Sequence, residues 1–417
     1  MDEYDQDQFQ EVSTVSWFRR IGNAFWGMIF GLLCVIGGFW LIAWNEANGL
    51  HTAQSFAETA KAVIAVPISP VDQKNNQRVI YLFGVATTDE TLSDPLLMVS
   101  GQALLLNRKV ENYQWLEAQK DSHITEKHRE GSETKSVIYY YTKGWKEGLV
   151  DSHSFKHPAG HENPTNALFT SQLSTAKKIT LGDFTLPAQL YKDITASITV
   201  DLSQVDLSNI QKATQQPLFR SASEIYIGAD PKNSNLGDAR ITLTEVMPQE
   251  VSVIGQQVGD TLQPYLAPAG KSVLILVSNH QPPQAMLRSA EIESNEMTWV
   301  FRSISLFLLA LGVFLLLLPL NVIADIVPIV GSIVGAVTLM SALLMGVFLW
   351  CVATAIAWML VRPELAAGLF GVALVFFIIW FKLKKPKMVV TAPAATEFTP
   401  EPTFPIEDDE KYHAPPE

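Results

Sequence analysis

Residues 24–44 read AFWGMIFGLLCVIGGFWLIAW, an apolar run without one charged side chain. Its length matches the ~20 helical residues that carry a chain across a hydrocarbon core. No small-x-small cleavage pattern follows it; the next residues are Asn45 and Glu46. The run therefore reads as an uncleaved anchor rather than a removed signal. Trp26, Trp40 and Trp44 stand toward its ends, where aromatic side chains gather at membrane interfaces.

Three more apolar runs follow near the other end, at 304–320, 331–360 and 365–381. The middle one, uncharged throughout, would make about 45 Å of helix. It must tilt across a ~30 Å core or begin at the interface. Between the second and third runs, residues 321–330 hold Val322, Ile323, Ile326 and Val327 around Asp325. That spacing predicts a short interfacial helix with Asp325 facing water. Spans two to four hold no ionisable residue between their ends, which counts against an ion path through them.

Basic residues set the expected orientation. Arg19 and Arg20 precede the first span, and Lys382, Lys384, Lys385 and Lys387 follow the last. The positive-inside rule puts both ends in the cytoplasm, although Arg362 sits on the outer loop. The chain divides into a cytoplasmic segment 1–22, a first span 23–45 and an extracytoplasmic domain 46–298. A three-helix membrane bundle 299–385 and a tail 386–417 complete it. The tail is proline-rich and acidic and cannot bury a core, so it is expected to be disordered. The first fifteen residues, MDEYDQDQFQEVSTV, look similarly mobile.

The formal charge of −12 argues against a nucleic-acid partner, which needs clustered Lys and Arg. Cys34 and Cys351 both fall in spans, so no disulfide framework holds the inserted domain. Its strand signals include 78–86 (RVIYLFGVA), 110–117 (VENYQWLE), 137–142 (VIYYYT), 239–246 (ARITLTEV) and 272–278 (SVLILVS). Aromatic and β-branched residues in alternation mark such strands. Residues 52–66 could continue the first helix out of the membrane, and 168–176 and 186–194 read as helical or irregular. The class is α+β: four transmembrane helices, one N-terminal and three C-terminal, with a large β-rich domain inserted between the first and second. Patterning weakens over 194–219, the candidate seam if there are two domains.

Several local patterns, in order, are similar to the transmembrane protein 43 (LUMA) family. Trp44-Asn45-Glu46 and Leu50-x-Thr52-Ala53-x-Ser55-x-x-Glu58 lie at the exit of the first span. Ser93-Asp94-Pro95, Glu111-x-Tyr113-Gln114-Trp115-x-Glu117 and Gly160-His161-x-Asn163-Pro164 follow. Gly237-Asp238-x-Arg240, Gly259-Asp260-x-Leu262-x-Pro264, Val352-Ala353-Thr354 and Arg362-Pro363 complete the series. The resemblance covers residues 15 to 385; the acidic tail departs from it. It implies an oligomeric membrane-organising protein without an established reaction. The lack of an unblocked Asn-x-Ser/Thr acceptor leans toward a bacterial inner membrane with a periplasmic domain. The alternative is the endoplasmic reticulum and inner nuclear membrane, where animal members reside.

No catalytic or metal-binding residue is assigned. His153, His157 and His161 are spaced by four, but Pro158 and Gly160 break the helix that would align them. No HExxH, CxxC, GxSxG, P-loop or GxGxxG pattern is present, and no cofactor is expected. Glu46 and Arg362 form a candidate ion pair tying the first span to the last turn of the bundle. Gly27 with Gly31, Gly331 with Gly335, Ala342 with Gly346, and Ala367 with Gly371 are small residues at helix-contact spacing. The expected partners are the lipid bilayer, further copies of the chain, and membrane or envelope proteins. The leading function is a non-enzymatic oligomeric membrane organiser or scaffold acting through the inserted domain. A pore-forming channel or transporter built by an oligomer is the alternative, and a membrane-tethered metal-dependent enzyme the third.

Overall fold

The first apolar run lies inside a helix much longer than itself. In the computed structural model, which describes residues 7–127, 133–326, 328–359 and 363–383, α1 is Trp17–Ala62. The short α2 is Ser208–Ala213, and α3 is Pro283–Ala324. Then come α4, Pro328–Trp358, and α5, which opens on Pro363 and ends at Leu383. Four of these, α1 and α3–α5, are long and apolar enough to cross a membrane. With 46 residues α1 is about 69 Å long, more than twice a hydrocarbon core. Its last turns and the first turns of α3 leave the bundle as a two-helix stalk.

The inserted domain is built from two sheets on that stalk. One sheet runs in the order Asp7–Val15, Glu133–Glu147, Leu105–Lys127, Ala239–Val246, Ile225–Ile227, Leu218–Arg220. In the other, Gln249–Val258 pairs antiparallel with both Val79–Thr87 and Ile275–Ser278. One core fills the space between them. Ile80, Leu82 and Val251 come from one side, and Leu106, Val110 and Ile241 from the other. Ile194, Leu202 and Ile210 belong to the same core. Residues 194–219 therefore cover a shared interior, where patterning weakens because the chain is irregular there.

Strand alternation positions the stalk. In Val79–Thr87, Ile80 and Leu82 point into the core while Val79 and Tyr81 turn to the other face. There they meet Met286 and Leu287 of α3 and Phe56 and Ala60 of α1. A loop completes the grip: Glu58 accepts from the Ala269 amide at 2.8 Å, and Ser55 from the Lys271 amide at 3.2 Å.

Three expectations are corrected. Gln172–Thr175 is a strand on Leu105–Lys127, because backbone pairing supplies what its polar sequence does not advertise. The neighbouring 186–194 stretch holds a 3-10 helix, Ala188–Asp193. Asp325 does not face water: it is 1% exposed and bonded to Arg20. A turn at Asp325–Ile326 joins α3 to the start of α4, and Val327 lies outside the described residues, as does the 386–417 tail.

The third correction concerns the N-terminus. Asp7–Val15 is a nine-residue strand, antiparallel to Glu133–Glu147, with Asp7 opposite Tyr141 and Val15 opposite Glu133. Gln10 donates to Ser136 at 2.7 Å, and Lys156 reaches Glu11 at 3.5 Å. The result is a three-stranded ribbon extending from the domain, with VIYYYT in its central strand. Residues 1–6 lie outside the described residues.

Candidate functional site

Polar side chains converge where the stalk leaves the bundle. Asn45 and Glu46 end the apolar run of α1, and Thr298 and Arg302 stand at the same level on the antiparallel α3. Arg302 grips Glu46 with two parallel bonds, Nε to Oε1 at 2.6 Å and Nη2 to Oε2 at 2.8 Å. Trp358, the last residue of α4, donates its indole N–H to Glu46 Oε2 at 2.6 Å. The rings of Trp299 and Trp358 lie 4.6 and 5.2 Å from the guanidinium. Asn45, 2% exposed, donates to the Thr298 carbonyl at 3.1 Å. Trp350 adds a bond to the Arg302 carbonyl at 3.1 Å. A cavity of about 450 Å³ opens beside the pair, lined by Gly49, Glu291, Asn295 and Leu365 among others.

This arrangement suits holding rather than reacting. The two charges are 10% and 11% exposed, so each depends on the other for what water no longer supplies. A forked guanidinium matches a carboxylate in geometry as well as charge. Both Glu46 oxygens are engaged, so the carboxylate ties α1, α3 and α4 together. Arg362, the expected partner, lies outside the described residues. Arg302 was legible as the basic residue heading the second apolar run, but nothing in the sequence put it level with Glu46.

A second tie closes the far end of the bundle. Arg20 Nη2 meets Asp325 Oδ2 at 2.5 Å, and Trp17 donates to the Val322 carbonyl at 2.9 Å. Thr338 of α4 donates to Asn321 of α3 at 2.6 Å. Small residues close the space between the ties. A Cβ on Gly31 would stand 2.8 Å from the Gly312 carbonyl oxygen, and one on Gly346 would stand 2.7 Å from Ala310 Cα. Gly27 faces Leu315 and Leu318 of α3, Gly331 lies against Asp325, and Ala342 is buried. A Cβ on Gly335 or Gly371 would meet no described atom within 4 Å, and Ala367 is exposed.

The family-motif residues of the domain are joints too. Asn163 uses its side chain as a strand edge: Oδ1 accepts from the Trp115 amide at 2.7 Å and Nδ2 donates to the Trp115 carbonyl at 3.0 Å. It also reaches the Val150 carbonyl at 3.2 Å. The Tyr113 amide donates to the Asp238 carbonyl and the Gly237 amide to Tyr113. Gly237 has φ +91°, a turn conformation that other residues adopt only under strain, and Pro164 lies against it. Arg240 donates to Glu111 at 2.7 Å and stacks over Trp145. Burial raises the Glu111 carboxyl, but bonds from Lys109 and Arg240 outweigh it and leave it below its usual value. Burial, with the Asp238 carboxylate accepting its proton at 2.5 Å, pushes the Tyr226 hydroxyl up to about 12. Gly259 turns with φ +64°, and the Asp260 carbonyl accepts from Thr185. Buried Asp94 is held by Arg108 at 2.6 and 2.7 Å.

His161 sits at the ribbon root. It stacks on Tyr141 at 3.9 Å and meets Trp115 edge-on. Nδ1 bonds the His157 carbonyl at 2.8 Å and Nε2 the Asp7 carboxylate at 3.1 Å. Of the three histidines spaced by four, His153 is exposed against Asp151, while the His157 and His161 rings are 6.0 Å apart. Among the described residues no group of three His, Cys, Asp or Glu could hold a metal ion.

A family model described as Transmembrane protein 43 matches residues 112–363. The mouse protein named Transmembrane protein 43 is 28% identical over 372 residues, covering 87% of this chain and 91% of the mouse chain. The human protein of that name is 28% identical over 375 residues, with the same coverage. A fruit-fly Transmembrane protein 43 homolog is 25% identical over 353 residues, covering 82% and 90%. No solved structure matches.

Proposed function

The chain belongs to the Transmembrane protein 43 family, and from that premise we propose that it acts as an oligomeric integral membrane protein without a covalent reaction of its own. It organises the membrane, or gathers partners there, through the inserted domain. The positive-inside rule, applied to Arg19 and Arg20 ahead of α1 and to the lysines after α5, favours a cytoplasmic position for both termini. The domain then stands on the opposite side, raised on the α1–α3 stalk. One observation carries the reading: the polar residues at the family-motif positions are engaged in joints between elements. Glu46, Asn163, Asp238 and Arg240 each bond another part of the chain, Asp238 through the Tyr226 hydroxyl. A scaffold needs such fixed geometry, whereas catalysis needs groups free to meet a substrate.

Outward-facing Gly335, Ala367 and Gly371 support self-association, since small residues let helices from different copies approach closely. The test is the mass of the full chain in lipid nanodiscs, with its effect on vesicles of phosphatidylethanolamine and phosphatidylglycerol. Several copies per particle and clustered or reshaped vesicles are expected. A strictly monomeric protein that leaves vesicles unaltered overturns the proposal.

A further inference from the structure

The cavity beside Glu46 and Arg302 opens where the bilayer ends. Trp44 closes the uncharged run of α1, and Trp299 stands on α3 just ahead of the run at 304–320. Tryptophans at such positions mark the level of the lipid headgroups. The cavity therefore faces headgroups, in the leaflet on the side of the inserted domain. Its volume of about 450 Å³ lies within the ~300–1,000 Å³ of small-molecule sites. Leu50, Ala53, Ala357 and Leu365 give it apolar walls.

The guanidinium is not used up by its pair. It carries five N–H donors on three nitrogens. Glu46 accepts one from Nε and one from Nη2, and among the described residues no group accepts from Nη1. Both Glu46 oxygens are engaged, one of them by Trp358 as well, so the carboxylate cannot turn to serve it. Arg302 is 11% exposed and lines the cavity. A guanidinium so far withdrawn from water favours a charged acceptor, and a phosphate oxygen is the one found at headgroup depth. Asn295 and Glu291 line the cavity farther out, about 10 and 16 Å along α3 from Arg302. Glu46 and Glu291 against Arg302 leave one net negative charge. Such a site does not attract a bare anion. It suits a ligand that brings a phosphate to Arg302 and a cation toward Glu291.

We propose that the cavity binds one phospholipid of that leaflet, a zwitterionic one of the phosphatidylethanolamine class. The phosphate accepts from Arg302 Nη1. The ammonium turns outward to the Asn295 carbonyl oxygen, in the field of Glu291 at the mouth. From the hydrocarbon outward the lipid presents chains, phosphate and ammonium, and the site presents bundle, Arg302 and Glu291 in the same order. The bound headgroup then rests against α1, α3, α4 and the start of α5, on the joint that carries the stalk. The proposal rests on the membrane half of the reading above, a protein acting on lipid, and is independent of the number of copies.

Native mass spectrometry of the full chain in detergent tests it, with phosphatidylethanolamine and phosphatidylglycerol of equal chain length added in turn. One phosphatidylethanolamine per chain should be retained, with a preference over phosphatidylglycerol of about fivefold, the scale of one exposed charge pair at low salt. Ala53→Trp fills the cavity and should lower that affinity at least tenfold with the unfolding midpoint unchanged. Should Ala53→Trp fail to fold, Leu365→Trp, at a residue 53% exposed, gives the same reading. Glu291→Lys should abolish the preference or reverse it. Retention that neither tryptophan variant lowers overturns the site, and equal binding of the two lipids by the native chain overturns the ammonium assignment. Soluble phosphoethanolamine that displaces the lipid at equal concentration makes this a site for a free phosphate and overturns the lipid. An oligomer without a selective lipid removes the site and leaves the oligomeric reading standing. A monomer that retains the lipid keeps the site and removes that reading.

Discussion

Glu46 and Arg302 show how a single pair can set the geometry at a membrane boundary. Removing one partner strands a buried charge, which typically costs about 3–5 kcal/mol. Glu46→Gln and Arg302→Gln should each destabilise the folded protein on that scale in denaturant unfolding. The double replacement by apolar residues should recover most of the loss. Single replacements that leave the unfolding transition where it stands would remove the pair as a determinant of stability.

Tyr226 gives a pH dependence with a definite sign. Its hydroxyl, pushed up to about 12 in the fold, ionises near 10 in an unfolded chain. The fold favours the protonated form, so this contribution is intact below about pH 10 and is lost as pH rises toward 12. Thermal unfolding across that window should fall less steeply for Tyr226→Phe than for the native chain. Parallel slopes would remove Tyr226 as the cause. Tyr226 was not among the family-motif positions, whereas its partner Asp238, like Asn163, was legible as one. Their work as joints was not, because Asn163 finds Trp115 across 48 positions of sequence.

At the scale of elements, helix contact depends on where small residues point. Gly31 packs onto Gly312 so closely that an added methyl would push α1 away from α3. Gly31→Ala should cost about 1–3 kcal/mol, as overpacking does. Gly335→Ala meets open space within the chain, and helix propensity favours it by up to about 1 kcal/mol. Its stability should hold or rise in unfolding measurements, while any loss of native mass would mark Gly335 as a contact between copies. Small-residue spacing was visible in the sequence, yet spacing alone does not say which stripe faces inward. The strand Asp7–Val15 left even less trace. Its polar residues carry no apolar alternation, and only backbone pairing with a distant partner makes it a strand.

Across the whole molecule, two ties hold the ends of the bundle. Glu46–Arg302 and Arg20–Asp325 are 26 residues apart on α1, about 39 Å of helix. At that separation their effects should add to within about 0.5 kcal/mol. A chain lacking Arg20 and Arg302 together should lose the sum of the single losses in unfolding experiments. A clear departure from additivity would mean that the bundle and domain communicate along the stalk.

The sequence by itself determined the span count, the place of the insertion and its β-rich character. Those properties are written in local hydrophobic runs and alternation, which each segment carries alone. Only the tertiary structure decided that Arg302 holds Glu46, that Asp325 is buried on Arg20, and that the N-terminal segment completes a ribbon. Charges and backbone hydrogen bonds accept any partner of suitable geometry, so the partner is chosen by where folding brings distant elements, not by the residues near them in sequence.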